Sequence, residues 1–284
     1  MIRHRRYAVP LTAVLLALAT GVALGAGPLR DATSSASPAP RVVTQAAAPG
    51  YGDAFAASVA SRLYDRGLSR RPVAILTLPG SDPATISALA AQVRAAGGEV
   101  TGTYAVAGQL VAAQQKNLVD TLGSQLAQQL KGHLDAGLST YPRIGELVAI
   151  AAANQGSAQA PPGDDAAAVR QSLVAAKLLA VPPGHPQTAP LLLVVFGSQT
   201  DQAIADGLLT GLAARSRGVV AVGPTRDANL TGLHADGVTR QVTTVDGSQT
   251  QAGRVAAVLG LIRAWRTRGG AFGASGADGS VPLG

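Results

Sequence analysis

Residues 72–106, PVAILTLPGSDPATISALAAQVRAAGGEVTGTYAV, decide the fold. Val73–Leu78 is a continuous β-favouring apolar run, the mark of a strand buried on both faces. Pro79-Gly80-Ser81-Asp82-Pro83 turns the chain, with Asp82 placed as an N-cap and Pro83 as the first helical residue. Ala84–Ala96 then carries Ile86, Leu89, Ala90 and Val93 at helical spacing, Gly97-Gly98 stops it, and Glu99–Val106 supplies a second strand. This is one βαβ unit. The pattern returns downstream: Pro190–Phe196 is a second fully apolar strand, Gly197-Ser198 leads into a helix at Asp201–Ser216, and Val219–Val222 follows as a strand. The blocks 72–106 and 190–222 run in near register, as a duplicated βαβ half would. Strands alternating with helices predict an α/β fold in three layers, a mostly parallel sheet with helices on both faces.

Working outward, Tyr51–Leu68 reads as a helix with Phe55, Val59, Leu63 and Leu68 facing inward. Residues Gln109–Leu138 form a helical region broken at Gly123 and Gly132, followed by a helix at Ile144–Asn154, a loop at Gln155–Gly163 and a helix at Asp164–Leu179. Thr225–Asp236 is expected to be loop, Val238–Val245 an alternating strand and Ser248–Arg266 the last helix. The domain therefore spans residues 51–266, and the glycine-rich tail 267–284 is expected to be disordered.

Upstream, residues 1–6 are a basic leader with Arg3, Arg5 and Arg6, and Tyr7–Leu29 is uncharged over 23 residues. At about 1.5 Å per residue such a run covers the roughly 30 Å of a bilayer core. It reads as one N-terminal transmembrane helix, with its basic end cytoplasmic and the rest of the chain outside. A cleaved secretory signal is the alternative, with Ala17-Leu18-Ala19 and Gly21-Val22-Ala23 as cleavage sites, although a signal core is usually shorter, about 7–15 residues. Residues 30–50 form a Ser/Pro/Ala linker.

Three of the seven net positive charges are the leader arginines Arg3, Arg5 and Arg6, and residues 32–284 hold 19 basic against 15 acidic groups, a mild excess. With 3% aromatic residues the chain lacks the basic, aromatic-interleaved stripe of a nucleic-acid binder. Arg254, Arg263, Arg266 and Arg268 gather in and after the last helix, where they suit a helix C-terminus or an anionic surface.

Two turns, Gly80-Ser81-Asp82 and Gly197-Ser198, stand between a buried strand and a helix start, where α/β proteins bind anions. Neither carries a phosphate-binding glycine pattern, and every such fold needs a turn there. No nucleophile elbow, zinc-protease motif or carboxylate pair is present. Asp164-Asp165 reads as a helix start. The chain is read as a non-enzyme, with loss of activity in Ser81→Ala or Ser198→Ala as the mark of the opposite case. There is no cysteine, and Met1 is the one methionine, so soft ligands for Cu(I) are missing. Imidazole takes Cu(II), which makes His133, His185 and His234 the candidate copper ligands, with Asp135 and Asp236 beside two of them.

Three stretches together resemble the MctB-like family of actinobacterial copper transporters: the anchor AVPLTAVLLALATGVALGAGPL, the block VAILTLPGSDPATISALAAQVRAAGGEVTG, and TTVDGSQTQAGRVAAVLGL near the end. The last is the most specific, with Thr244, Val245 and Asp246, then Gly253 and Arg254, then a leucine-rich run. The resemblance implies a membrane-anchored envelope protein with a role in copper efflux and copper homeostasis. Some relatives are linked instead to envelope scaffolding during cell division, so the alternative is a scaffold that binds a membrane or cell-division partner, or a homo-oligomer. Relatives usually carry a coiled coil after the anchor, which the short linker here lacks. Arginine outnumbers lysine 20 to 3, in keeping with a GC-rich actinobacterial proteome.

Overall fold

The computed structural model describes residues 50–130, 134, 137–155, 163–184, 187–197, 200–235 and 237–283. In chain order the elements are α1 (Tyr51–Tyr64), β1 (Val73–Thr77), α2 (Pro83–Ala95), β2 (Val100–Val106), α3 (Lys116–Gln129), α4 (Thr140–Ala152), α5 (Asp164–Ala175), β3 (Leu179–Ala180), β4 (Leu191–Val195), α6 (Gln202–Arg215), β5 (Gly218–Gly223), α7 (Ala228–Ala235), β6 (Thr243–Asp246), α8 (Gln251–Ala264) and β7 (Ala271–Phe272). The sheet runs β3-β2-β1-β4-β5-β6-β7 and is parallel except for the β2–β3 pair. With its long strands ordered outward in both directions from the β1–β4 seam, it is doubly wound.

The central strands are apolar along their whole length because both faces are covered. Ala74, Leu76, Leu192, Val194, Val219 and Ala221 meet one layer, α3 to α7. Val73, Ile75, Leu191, Leu193, Val220 and Val222 meet the other, α1, α2 and α8. Each such Val, Leu or Ile taken out of water contributes about 1.5–3 kcal/mol, so these two cores dominate the stability.

One helix pair is set by glycine. A side-chain carbon at Gly211 would lie 2.1 Å from the Pro142 carbonyl oxygen and 2.6 Å from the Glu146 nitrogen. One at Gly145 would lie 2.3 Å from the Leu208 carbonyl oxygen. The α4 and α6 backbones therefore touch, and Arg215 closes the crossing with a 2.7 Å ion pair to the buried Glu146.

Several expectations are corrected. Gly123 does not break α3; it leaves room for Ile144, whose Cδ1 would lie 3.1 Å from an added carbon. Residues 225–236 are not all loop, because Asp227 accepts hydrogen bonds from the Asn229 and Leu230 amides and starts α7. The strand expected at Val238–Val245 is a 3-10 turn, Val238–Arg240, followed by β6. Helix α1 buries Ala56, Ala60 and Tyr64, not Phe55 or Leu63, because the small alanines let it lie close on α8.

The tail is not disordered over 267–283. β7 pairs with β6, and the Ala271 amide donates to Asp278 at 2.8 Å. Gly269, Gly270, Gly273 and Gly279 have positive φ, so the glycines are spent on left-handed turns that other residues resist. The folded domain accordingly reaches residue 283 rather than ending at 266. Among the described residues, no helix is long and apolar enough to cross a membrane. Residues 1–49, with the leader, the apolar run and most of the linker, lie outside the described residues.

Candidate functional site

In an open doubly wound sheet, ligands bind at the carboxyl ends of the strands, in the crevice at the seam. Here the β1 and β4 turns fill that crevice. A side-chain carbon at Gly197 would lie 2.1 Å from the Pro79 carbonyl oxygen and 2.4 Å from the Ser81 nitrogen. Ser81 Oγ donates to the Leu78 carbonyl and, at 2.9 Å, to the Val195 carbonyl, so it staples the two turns together. Ser198 lies outside the described residues.

The helix starts along this edge are occupied as well. Asp82 accepts from the Ala84 and Thr85 amides at 3.2 and 2.9 Å, and its carboxyl is held below the ordinary range by the Thr85 hydroxyl and those amides. Asp201 accepts from the Ala203 and Ile204 amides. Asp53, reaching across from α1, accepts from the Gln251 and Ala252 amides of α8, and Thr250 accepts from Gly253. Amides that would cradle a phosphate are satisfied by the protein's own carboxylates and, at Gly253, by the Thr250 hydroxyl. The anion-site reading of these turns is therefore not supported by their geometry.

The motif Thr244-Val245-Asp246…Gly253-Arg254 forms the joint between β6 and α8. Gly247 turns with φ +92°, and a side-chain carbon at Gly253 would lie 2.0 Å from the Gly247 carbonyl oxygen, which only glycine permits. Arg254 donates to the Ser248 and Gln249 carbonyls and to Gln251 Oε1, bracing the turn from inside. Asp246, 4% exposed, accepts from the Ser275 hydroxyl at 2.7 Å and from the Ser275 and Arg226 amides. Burial pushes its carboxyl up, but these bonds outweigh burial and hold it below the ordinary range. The motif thus clasps the tail, the α7 loop and the sheet edge together. Arg226 and Ser275 carried no sequence signal, because their bonds use backbone amides and a residue 29 positions away.

His133, His185, Asp135 and Asp236 lie outside the described residues, and His234 is carried on α7. Asp164 and Asp165 open α5, as expected of a helix start. Among the described residues, no group of three or more His, Asp or Glu side chains is gathered to hold a metal ion.

A second feature was invisible in the sequence. At the opposite end of the sheet, two guanidiniums lie near the Trp265 ring, Arg217 at 4.3 Å and Arg71 at 5.0 Å from its centre. Burial and the nearby charges of Arg266 and Arg217 lower the Arg71 pKa from its usual value. Neither the Arg143–Asp120 nor the Arg215–Glu146 ion pair involves this cluster.

The family described as "Copper transport outer membrane protein, MctB" matches residues 1–282 of this chain. Proteins named "Copper transporter MctB" from Mycobacterium bovis and Mycobacterium tuberculosis are 29% identical to it over 300 aligned positions, covering 92% of this chain and 92% of each relative.

Proposed function

This chain belongs to the MctB family of copper transport outer membrane proteins, and from that premise we propose that it is an envelope protein acting in copper efflux and copper homeostasis. The observation that carries the reading is the length of the match, residues 1–282, which takes in the anchor region, the domain and the clasped tail alike. Residues 7–29 hold the chain in a membrane, with Arg3, Arg5 and Arg6 on the cytoplasmic side and the α/β domain outside.

Copper would be cargo rather than a resident cofactor. A membrane barrel closes on itself and turns one face to lipid. The sheet described here has two edges, β3 and β7, and helices on both faces. The domain accordingly works beside the membrane, without enzymatic chemistry at its filled seam. If the chain meets the metal itself, the imidazoles of His133, His185 and His234 are the side chains to test, since no thiol is present. No observation favours the cell-division scaffold.

The experiment is growth in copper of a strain lacking this protein. The full chain is expected to restore tolerance, and a chain without residues 7–29 is not. Restoration by the unanchored chain would sink the anchor. Failure of the full chain to alter tolerance would sink the copper role. Full tolerance with His133→Ala, His185→Ala and His234→Ala combined would remove those side chains.

A further inference from the structure

Helix α1 is built inside out. Its inward contacts are Ala56 and Ala60 with Tyr64, while Tyr51, Phe55 and Leu63, its large apolar residues, are 88%, 57% and 41% exposed. With Val59 they fall every fourth residue, so they lie along one row of the helix surface. The row ends at an open groove of about 410 Å³ between the ends of α1 and α8, where Leu63 is shared by both. It is lined by the apolar Leu259 and Ile262 and by Arg71, Arg263 and Arg266, of which Arg263 also donates to the Gly269 carbonyl and lies 5.4 Å from the Phe272 ring centre. Asp65 is the one acidic residue in the lining.

We infer that this face, the α1 row together with the arginine-lined groove, docks on an anionic phospholipid surface, the arginines taking lipid phosphates while Tyr51, Phe55 and Leu63 enter the headgroup boundary. The inference rests on the anchor reading of residues 7–29. Three observations select lipid over a second copy of the chain. The face starts where the tether ends: the 21 residues from 30 to 50 reach at most about 70 Å, ample to lay a 14-residue helix on the surface that holds the anchor. Apolar residues flanked by arginines are the pattern of a helix lying in a membrane interface. A symmetric contact centred on the groove would set Arg263 and Arg266 of one copy against the same residues of the other, and like charges there repel. Arginine is also the side chain whose fork fits phosphate oxygens.

The chain has no cysteine, so single labels are clean. The full chain is reconstituted in vesicles of phosphatidylcholine with phosphatidylglycerol and headgroup spin-labelled lipid. A fluorophore is attached through Ser58→Cys, exposed on the outer side of α1, or through Gln128→Cys, exposed on α3 across the sheet. Docking predicts strong quenching at the first position, little at the second, and loss of the contrast without phosphatidylglycerol. Replacing Arg71, Arg263 and Arg266 by Ala is expected to lower the docked-to-undocked ratio about a hundredfold, at about fivefold per arginine. Because Arg71 also stacks on Trp265 and Arg263 holds the Gly269 carbonyl and Phe272, Phe55→Ser with Leu63→Ser provides a second variant, on exposed positions alone, with the same expected loss of contrast. Equal quenching at the two labels overturns the inference. Quenching at the first label that rises with chains per vesicle and ignores phosphatidylglycerol also overturns it, and assigns the face to a second copy. Retention of the chain through an alkaline carbonate wash reads the anchor separately, so either claim fails without the other.

Discussion

Gly211→Val is expected to remove a large share of the domain's stability. The added carbon would sit 2.1 Å from the Pro142 carbonyl oxygen, 2.6 Å from the Glu146 nitrogen and 2.8 Å from the Gly145 carbonyl carbon. All three are backbone atoms of α4, so no side chain can swing aside; the two helices must separate. Separation also pulls Arg215 from the buried Glu146. Overpacking usually costs about 1–3 kcal/mol, and a backbone clash of this kind belongs beyond that range, at about 4 kcal/mol. Against a typical domain stability of about 5–15 kcal/mol, that is roughly a quarter of the margin or more. Gly108→Ala, where nothing lies within 4 Å, is the matched control and should change stability by under about 0.5 kcal/mol. Thermal unfolding of both variants gives the comparison. A Gly211→Val protein melting within about 2 °C of the parent would show that α4 and α6 do not touch as described.

Asp246→Asn should destabilise by about 3 kcal/mol at neutral pH, since it replaces a buried carboxylate facing three donors with an amide that turns a donor toward them. In a domain of this size that is roughly 6–12 °C in melting temperature. The effect has a pH signature. The folded-state pKa of Asp246 is depressed, so its stabilisation is complete above the unfolded value, near 3.9, and disappears as pH falls through the lower folded value. Parent and variant should therefore converge on acidification below about pH 4. Asp82 is shifted in the same direction, which is why the difference between the two proteins, rather than the parent alone, carries the test. The first part to loosen should be the tail, read as protease cleavage within 273–283. A melting difference that stays constant from neutral pH to pH 3 would remove the carboxylate from this account.

What the sequence made legible was whatever is decided locally. The runs Val73–Thr77 and Leu191–Val195 announced buried strands because burial on both faces leaves no polar alternation. Asp82 and Asp201 announced helix starts because capping needs only amides two and three residues on. What stayed hidden is long-range. The order of the tail comes from Asp246 and from pairing with β6, neither of which a glycine-rich composition reveals. The inward face of α1 was misread because large apolar residues ordinarily go inside, and here alanine fills the contact. α7 carries Asn229, Thr231 and Gly232, poor helix formers, and holds as a helix through its Asp227 cap and the burial of Leu230 and Leu233. Of the site, the TVD…GR motif was visible as a pattern, while its work as a clasp was not.

The copper role is tested most directly by the rate at which cells pre-loaded with radiolabelled copper lose it. Cells lacking this protein should release copper more slowly than the parent, with the full chain restoring the parental rate. Equal release with and without the protein would contradict its place in copper transport.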